Sequence, residues 1–397
     1  MVPDLRARRA WTLPHIPDPA LVLARLLVVL GTRPEAIKLA PLVYELRRRV
    51  PAEAVHIVAT GQHAELARRA LAAFDLQPDH ELPALEHGLS LARATAMMLS
   101  RLDEVLVELE PRWVLVQGDT TSALAGGLAS FHRGIPFAHV EAGLRSGRLD
   151  QPFPEEAHRR LLDGISDLLC APTERCREHL EREGLSRERI AVTGNTGIDA
   201  LEWMRRRSTP WPEPACLRGI APQTNVVLVT AHRRESWGLP LRAIGAALRA
   251  LAIAHARDSR WILPLHPNPA VAAPLRAALG DLANVHLLAP LEPAELWACM
   301  ARATFVLTDS GGLQEEAPSL GKPVLVLRSC TERSEGVDLR IAELVGTEVH
   351  SITSACDRLL RDPVALQRMR PQRNPYGDGR AAERIAEALE ARGAFAR

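Results

Sequence analysis

The chain has 397 residues, a formal net charge of +1 and 47% hydrophobic residues. The length favours two domains over one, and the balanced charge removes any electrostatic case for nucleic acid or a membrane surface. Its six cysteines form no CxxC pair and share no zinc-like spacing with histidine, a pattern that fits a reducing cytoplasm.

Residues 1–23 are basic and contain proline, and are expected as an extension, disordered or upstream of the start codon in use. The apolar stretch that follows is broken by Arg25 and has no small-residue cleavage site, so it does not read as a signal peptide. No apolar run approaches the roughly 18 residues of a membrane span. One theme then repeats along the chain: a short run rich in Val, Leu and Ile stops at a polar cluster. In the first half the clusters are GTRPE (31–35), TGQH (60–63), QGDTT (117–121) and EAGLR (141–145). After a Pro- and Trp-containing gap at 208–223 the theme restarts with TAHRRE (230–235), HPN (266–268), DSGG (309–312) and RSCTER (328–333).

Amphipathic segments lie between these runs, for example 37–48 and 241–256. Strand–helix alternation predicts α/β architecture with parallel sheets covered on both faces. Ligands in such sheets bind beyond the carboxyl ends of the strands, where all these clusters fall. The expected organisation is two Rossmann-like domains facing across a cleft, at 24–195 and 196–377, with a terminal helix in 378–397 that crosses back onto the first.

The segment LTDSGGLQEEAPSLGKPV (307–324) reads as strand, small-residue turn, helix, strand. Ser310, Gly311 and Gly312 leave backbone N–H groups open at a helix N-terminus, a phosphate-binding arrangement. Glu315 and Glu316 follow one turn later, suited to sugar hydroxyls. A plain helix cap with two solvated glutamates is the alternative. No metal or nicotinamide is expected, since there is no metal-ligand cluster and Gly31-Thr32-Arg33 lacks GxGxxG spacing.

GTRPEAIK (31–38), GDTT (118–121), HVEAGLR (139–145), PEE (154–156), TGNT (193–196), HRRE (232–235), DSGGLQEEAP (309–318) and NPYGD (374–378) together resemble the non-hydrolysing UDP-N-acetylglucosamine 2-epimerases. The likeness covers about residues 26–390. It implies a GT-B-like fold, commonly a homodimer, and interconversion of UDP-GlcNAc and UDP-ManNAc for cell-surface polysaccharide synthesis. The C2 proton of the sugar is not beside a carbonyl, so the feasible route is elimination of UDP to a glycal and re-addition. That requires a diphosphate clamp, an acid, a base and a closed cleft.

The resemblance assigns Asp119, Glu141, Glu155, His232 and Lys38 to catalysis, with the acid and base open among the three carboxylates. It places Arg33 and His232 near the phosphates, Glu316 on the ribose and Lys38 near the active site, lowering a carboxylate pKa. Arg159 and Arg145 are candidates to orient the carboxylates, and Arg159 is also expected to bind UDP. Gln62 with His63, Arg234 and His266 fit a second site binding UDP-GlcNAc as activator. Three departures from the family stand out: His158 for Asn, Ser334 for Pro, and Arg340-Ile341 for Gly-Thr. They bear on the sugar accepted. Other readings are an epimerase of another UDP-2-acetamido sugar, a hydrolysing epimerase, a GT-B glycosyltransferase and an inactive sugar-nucleotide sensor.

Overall fold

The computed structural model describes residues 26–86, 88–207, 211–233 and 236–395. The extension expected at 1–23 and the candidate Arg234 lie outside the described residues.

The first half runs β1 (Leu26–Leu30), α1 (Arg33–Arg49), β2 (Val55–Ala59), α2 (Ala64–Ala72), β3 (His80–Glu81), α3 (Leu91–Leu109), β4 (Trp113–Gln117), α4 (Thr121–Arg133), β5 (Phe137–Val140), α5 (Glu155–Ile165), β6 (Leu168–Ala171), α6 (Glu174–Arg182), β7 (Ile190–Val192) and α7 (Thr196–Arg207). The second runs β8 (Asn225–Thr230), α8 (Leu239–Ala254), β9 (Ser259–Pro264), α9 (Pro269–Leu279), β10 (Val285–Leu288), α10 (Pro293–Arg302), β11 (Phe305–Thr308), α11 (Gly311–Glu316), β12 (Val324–Val326), α12 (Ser334–Asp338), β13 (Ala342–Leu344), α13 (Val349–Arg361), α14 (Pro363–Met369) and α15 (Ala381–Glu390).

The strands form two parallel sheets, ordered β3-β2-β1-β4-β5-β6-β7 and β10-β9-β8-β11-β12-β13. β1, β4 and β5 are buried along their whole length, as continuous apolar runs demand when helices cover both faces. In each sheet the strand order reverses once, between β1 and β4 and between β8 and β11. The crevice outside such a reversal is where these folds bind ligands. GTRPE and GDTT flank the first reversal, His232-Arg233 and DSGG the second.

α1 starts sharply because the sequence caps it. Thr32 and Glu35 form a capping box, and Glu35 Oε2 accepts from the N–H groups of Gly31 and Thr32 at 3.0 and 2.7 Å. Its other oxygen accepts from Thr120 Oγ1 at 2.6 Å, tying the first polar turn to the third. One apolar cluster runs from the β1 face through α7 and α15 to β8 and β12, so the halves share a core. α15 packs on α1, α7 and β6. Asp199 of α7 accepts from the first N–H groups of α15, Ala381 and Ala382, at 3.1 and 2.8 Å.

Candidate active site

Asp119 follows β4 through Gly118, and α5 grips it twice. Arg159 reaches Asp119 Oδ2 through Nε at 2.8 Å and Nη2 at 2.6 Å. His158 Nδ1 donates to the Asp119 carbonyl at 2.8 Å. The hydrogen bond of His158, one of the departures from the family, therefore lies on Asp119. Burial works against a charge on Asp119, but the Arg159 guanidinium outweighs it and holds the carboxyl below its ordinary range.

Glu141 follows β5 in the left-handed region, at φ 73°. Lys38 Nζ lies 2.6 Å from its Oε1, and Gln117 Nε2 donates to its Oε2. Lys38 also stands 3.5 Å from Glu315 Oε2 of α11. Burial lowers the Lys38 pKa, and the facing Glu141 and Glu315 more than offset that and raise it.

Arg333 completes the cluster. Its Nε donates to Glu315 Oε1 at 2.8 Å, and its Nη1 and Nη2 lie 3.4 Å from Glu332 and 3.7 Å from Glu141. Glu332 is itself held by Arg328 Nη1 at 2.9 Å. A Cβ at Gly311 would meet the Arg333 Cζ at 2.6 Å, so only glycine lets the guanidinium settle on the first residue of α11. The sequence placed Arg333 in a polar cluster at a strand end but gave it no role. Its signal is the glycine it packs against, which only the folded chain brings near.

The remaining candidates fall around this cluster. Arg33 Nη2 crosses the cleft to the Leu291 carbonyl at 2.5 Å. Ser310 caps α11 and its N–H donates to Thr308 Oγ1 at 2.9 Å, with Gly311 and Gly312 in the first turn. Asp309, buried, accepts from the N–H groups of His232 and Arg233 at 2.6 and 2.8 Å, and its Oδ1 lies 3.1 Å from His232 Nδ1. Glu316 Oε2 accepts from Trp297 Nε1 at 2.7 Å. Burial, aided by the charge of Glu315, pushes Glu316 up to about 7. Glu155 begins α5, and its Oε2 is buried without a hydrogen-bond partner, an acceptor left for a donor to satisfy.

Three candidates stand apart from the carboxylates. Arg145 pairs with Asp163 at 2.7 Å and with Glu183 at 2.6 Å, so it holds a neighbouring loop and orients none of Asp119, Glu141 or Glu155. Gln62 Oε1 accepts from Ser122 N–H and Oγ at 3.1 and 2.6 Å. His266 stacks on His232, with ring centroids 6.0 Å apart and planes 7° from parallel. Arg340 is exposed at φ 59° on the turn into β13, so this departure bears on a turn and not on the cleft. Among the described residues no three His, Cys, Asp or Glu side chains are grouped to hold a metal, and no helix is long and apolar enough to cross a membrane.

The family model for UDP-N-acetylglucosamine 2-epimerase matches residues 45–390. The chain belongs to the UDP-N-acetylglucosamine 2-epimerase family. It is 42% identical to the epimerase of Bacillus subtilis over 92% of this chain and 94% of that one. It is 44% identical to the Escherichia coli K12 enzyme over 92% and 98%. The epimerase of Neisseria meningitidis, solved with UDP-GlcNAc bound, superposes with a TM-score of 0.86 at 39% identity, covering 92% of this chain and 100% of that one. The Methanocaldococcus jannaschii epimerase, solved with UDP-GlcNAc and UDP, gives 0.78 at 32%, covering 92% and 99%. The fold is thus the GT-B-like arrangement of epimerases, with sheets of seven and six strands.

Proposed function

We propose that this epimerase interconverts UDP-GlcNAc and UDP-ManNAc by eliminating UDP and adding it back. The observation that carries the reading is the pair Asp119 and Glu141. They end adjacent parallel strands, each is held by its own cation, and Lys38 and Arg333 link Glu141 to the first turns of α11.

A carboxylate takes the C2 proton. The C2–H electron pair becomes the C1–C2 double bond, and the C1–O pair leaves with UDP. The 2-acetamidoglucal and UDP remain in the cleft. UDP oxygen then re-forms the bond to C1 as a proton reaches C2 from the opposite face. Electrons and atoms balance without a cofactor.

Asp119, Glu141 and Glu155 supply the proton transfers. Lys38 holds Glu141 in place, and Arg159 holds Asp119 in place and keeps it ionised. Arg33, His232, Arg333 and the N–H groups of Ser310, Gly311 and Gly312 hold the diphosphate, with Glu316 on the ribose. Gln62 and His266, with Arg234, form a second site for UDP-GlcNAc as activator. The His232–His266 stack supports a link between the two sites. The halves divide near Asn195, the chain pairs as a homodimer, and the product feeds polysaccharide synthesis from the cytoplasm.

Proton NMR of the protein with UDP-GlcNAc in D2O tests this. UDP-ManNAc deuterated at C2, without accumulating UDP, is the expected result. Free UDP with ManNAc would make the protein a hydrolysing enzyme instead.

A further inference from the structure

Away from the charge cluster the halves meet again, at α12. The Arg175 guanidinium donates through Nη1 to Ser334 Oγ and through Nη2 to Asp338 Oδ2. Thr173 Oγ1, whose residue caps α6, donates to Glu335 Oε1 at 2.5 Å. The short helix α12 is thereby fastened along its length to the N-terminus of α6, in the other half of the molecule. Ser334 is the residue that departs from the family's proline, and its hydroxyl is an acceptor that proline lacks.

Arg333 is the residue immediately before α12. Tyr376 secures that junction from the inner side: its Oη donates to the Arg333 carbonyl at 2.8 Å and accepts from Gly336 N–H at 3.0 Å. The place of the Arg333 guanidinium relative to Glu141 is therefore set by where α12 sits, and Arg175 fixes where α12 sits against the first half.

We propose that Arg175 is a positioning residue that latches α12 shut while UDP and the glycal are both free in the cleft. This rests on the elimination reading. In that interval no covalent bond retains either fragment, so retention depends on the walls staying closed. Arg175 lies at the rim, 38% exposed, and touches none of the site residues described above.

The test compares wild type, Arg175→Glu and the swapped pair Arg175→Glu/Asp338→Arg, each with UDP-GlcNAc in D2O. NMR gives free UDP plus 2-acetamidoglucal released per C2 deuterium incorporated. Arg175→Glu should raise that ratio about tenfold, as loss of two hydrogen bonds and a new like-charge contact imply, and the swapped pair should restore it. An unchanged ratio overturns the proposal, including when turnover falls, because a merely structural role lowers turnover without changing leakage. Small-angle scattering of the UDP-bound proteins reads the latch without any reaction. Arg175→Glu should be more extended, and identical curves overturn the latch. Wild-type product lacking deuterium at C2 would defeat the elimination reading, and with it the role in retention, whatever the scattering shows.

Discussion

Lys38 Nζ sits 2.6 Å from Glu141 Oε1, joining the first helix of one sheet to the end of its fifth strand. The pair is buried, so neither charge is tolerated there without the other. Lys38→Met should lower kcat by about 100-fold or more, the scale of losing a well-placed acid–base group. UDP affinity should stay within a few-fold. Steady-state kinetics with calorimetric UDP titration check both, and a kcat near wild type would remove Lys38 from the site.

Asp119→Asn and Glu141→Gln keep the shape of the carboxylates and remove their basicity. Each should reduce turnover by about 10²–10⁴-fold and leave UDP binding nearly intact. Deuterium incorporation at C2 in single-turnover mixtures is the measurement. Wild-type exchange in either variant would clear that residue of proton transfer.

Glu316 gives a pH signature. Its pKa is raised to about 7 by burial, and an ionised carboxylate is the better acceptor for two ribose hydroxyls. Binding of UDP-GlcNAc should therefore release a proton near neutral pH and tighten as pH rises through about 7. Titrations in buffers of different ionisation enthalpy read the proton. Glu316→Gln should bind more weakly, with no such pH dependence. The stability term has the opposite trend: a folded pKa above the ordinary 4.5 gives stabilisation fully present below 4.5 and lost as pH rises through about 7. The difference between wild-type and Glu316→Gln urea midpoints should follow that curve.

Tyr376→Phe should cost about 1–3 kcal/mol, because it strands the buried Arg333 carbonyl and Gly336 N–H without a partner. Denaturant unfolding measures it, and a change below the error would show that other groups satisfy both atoms.

Arg340→Gly should stabilise the fold by about 1 kcal/mol, since a left-handed backbone penalises any side chain with a Cβ. Turnover should not change, because the residue is exposed and outside the cleft. An altered choice of UDP-sugar in this variant would restore Arg340 to the specificity question.

Much of this architecture was legible from punctuation. The apolar runs ending in GTRPE, TGQH, QGDTT, EAGLR, TAHRRE, HPN, DSGG and RSCTER are eight of the strands, the four central ones at the two reversals and the strands beside them. The strands not read were short or peripheral, such as β3 with two residues and β7 and β13 with three each. Too few residues remain there for a period to register. β6 and β10 lie in runs of four without a distinctive polar end. Asp119, Glu141, Lys38 and the α11 turn could be named as candidates because each sits next to a strand end or a family motif. Arg333 and the Arg175 contacts were not assigned, because they exist only through long-range juxtaposition; residues 175 and 338 say nothing of each other in sequence.

Glu141 holds its carboxylate at φ 73°, a backbone that glycine or asparagine would adopt at less expense. The carboxylate is kept there by Lys38 and Gln117, so replacing Glu141 with either residue would relax the backbone but leave the buried Lys38 ammonium without its 2.6 Å partner. At position 141 the comfort of the backbone and the charge balance of the cluster therefore pull the same codon in opposite directions.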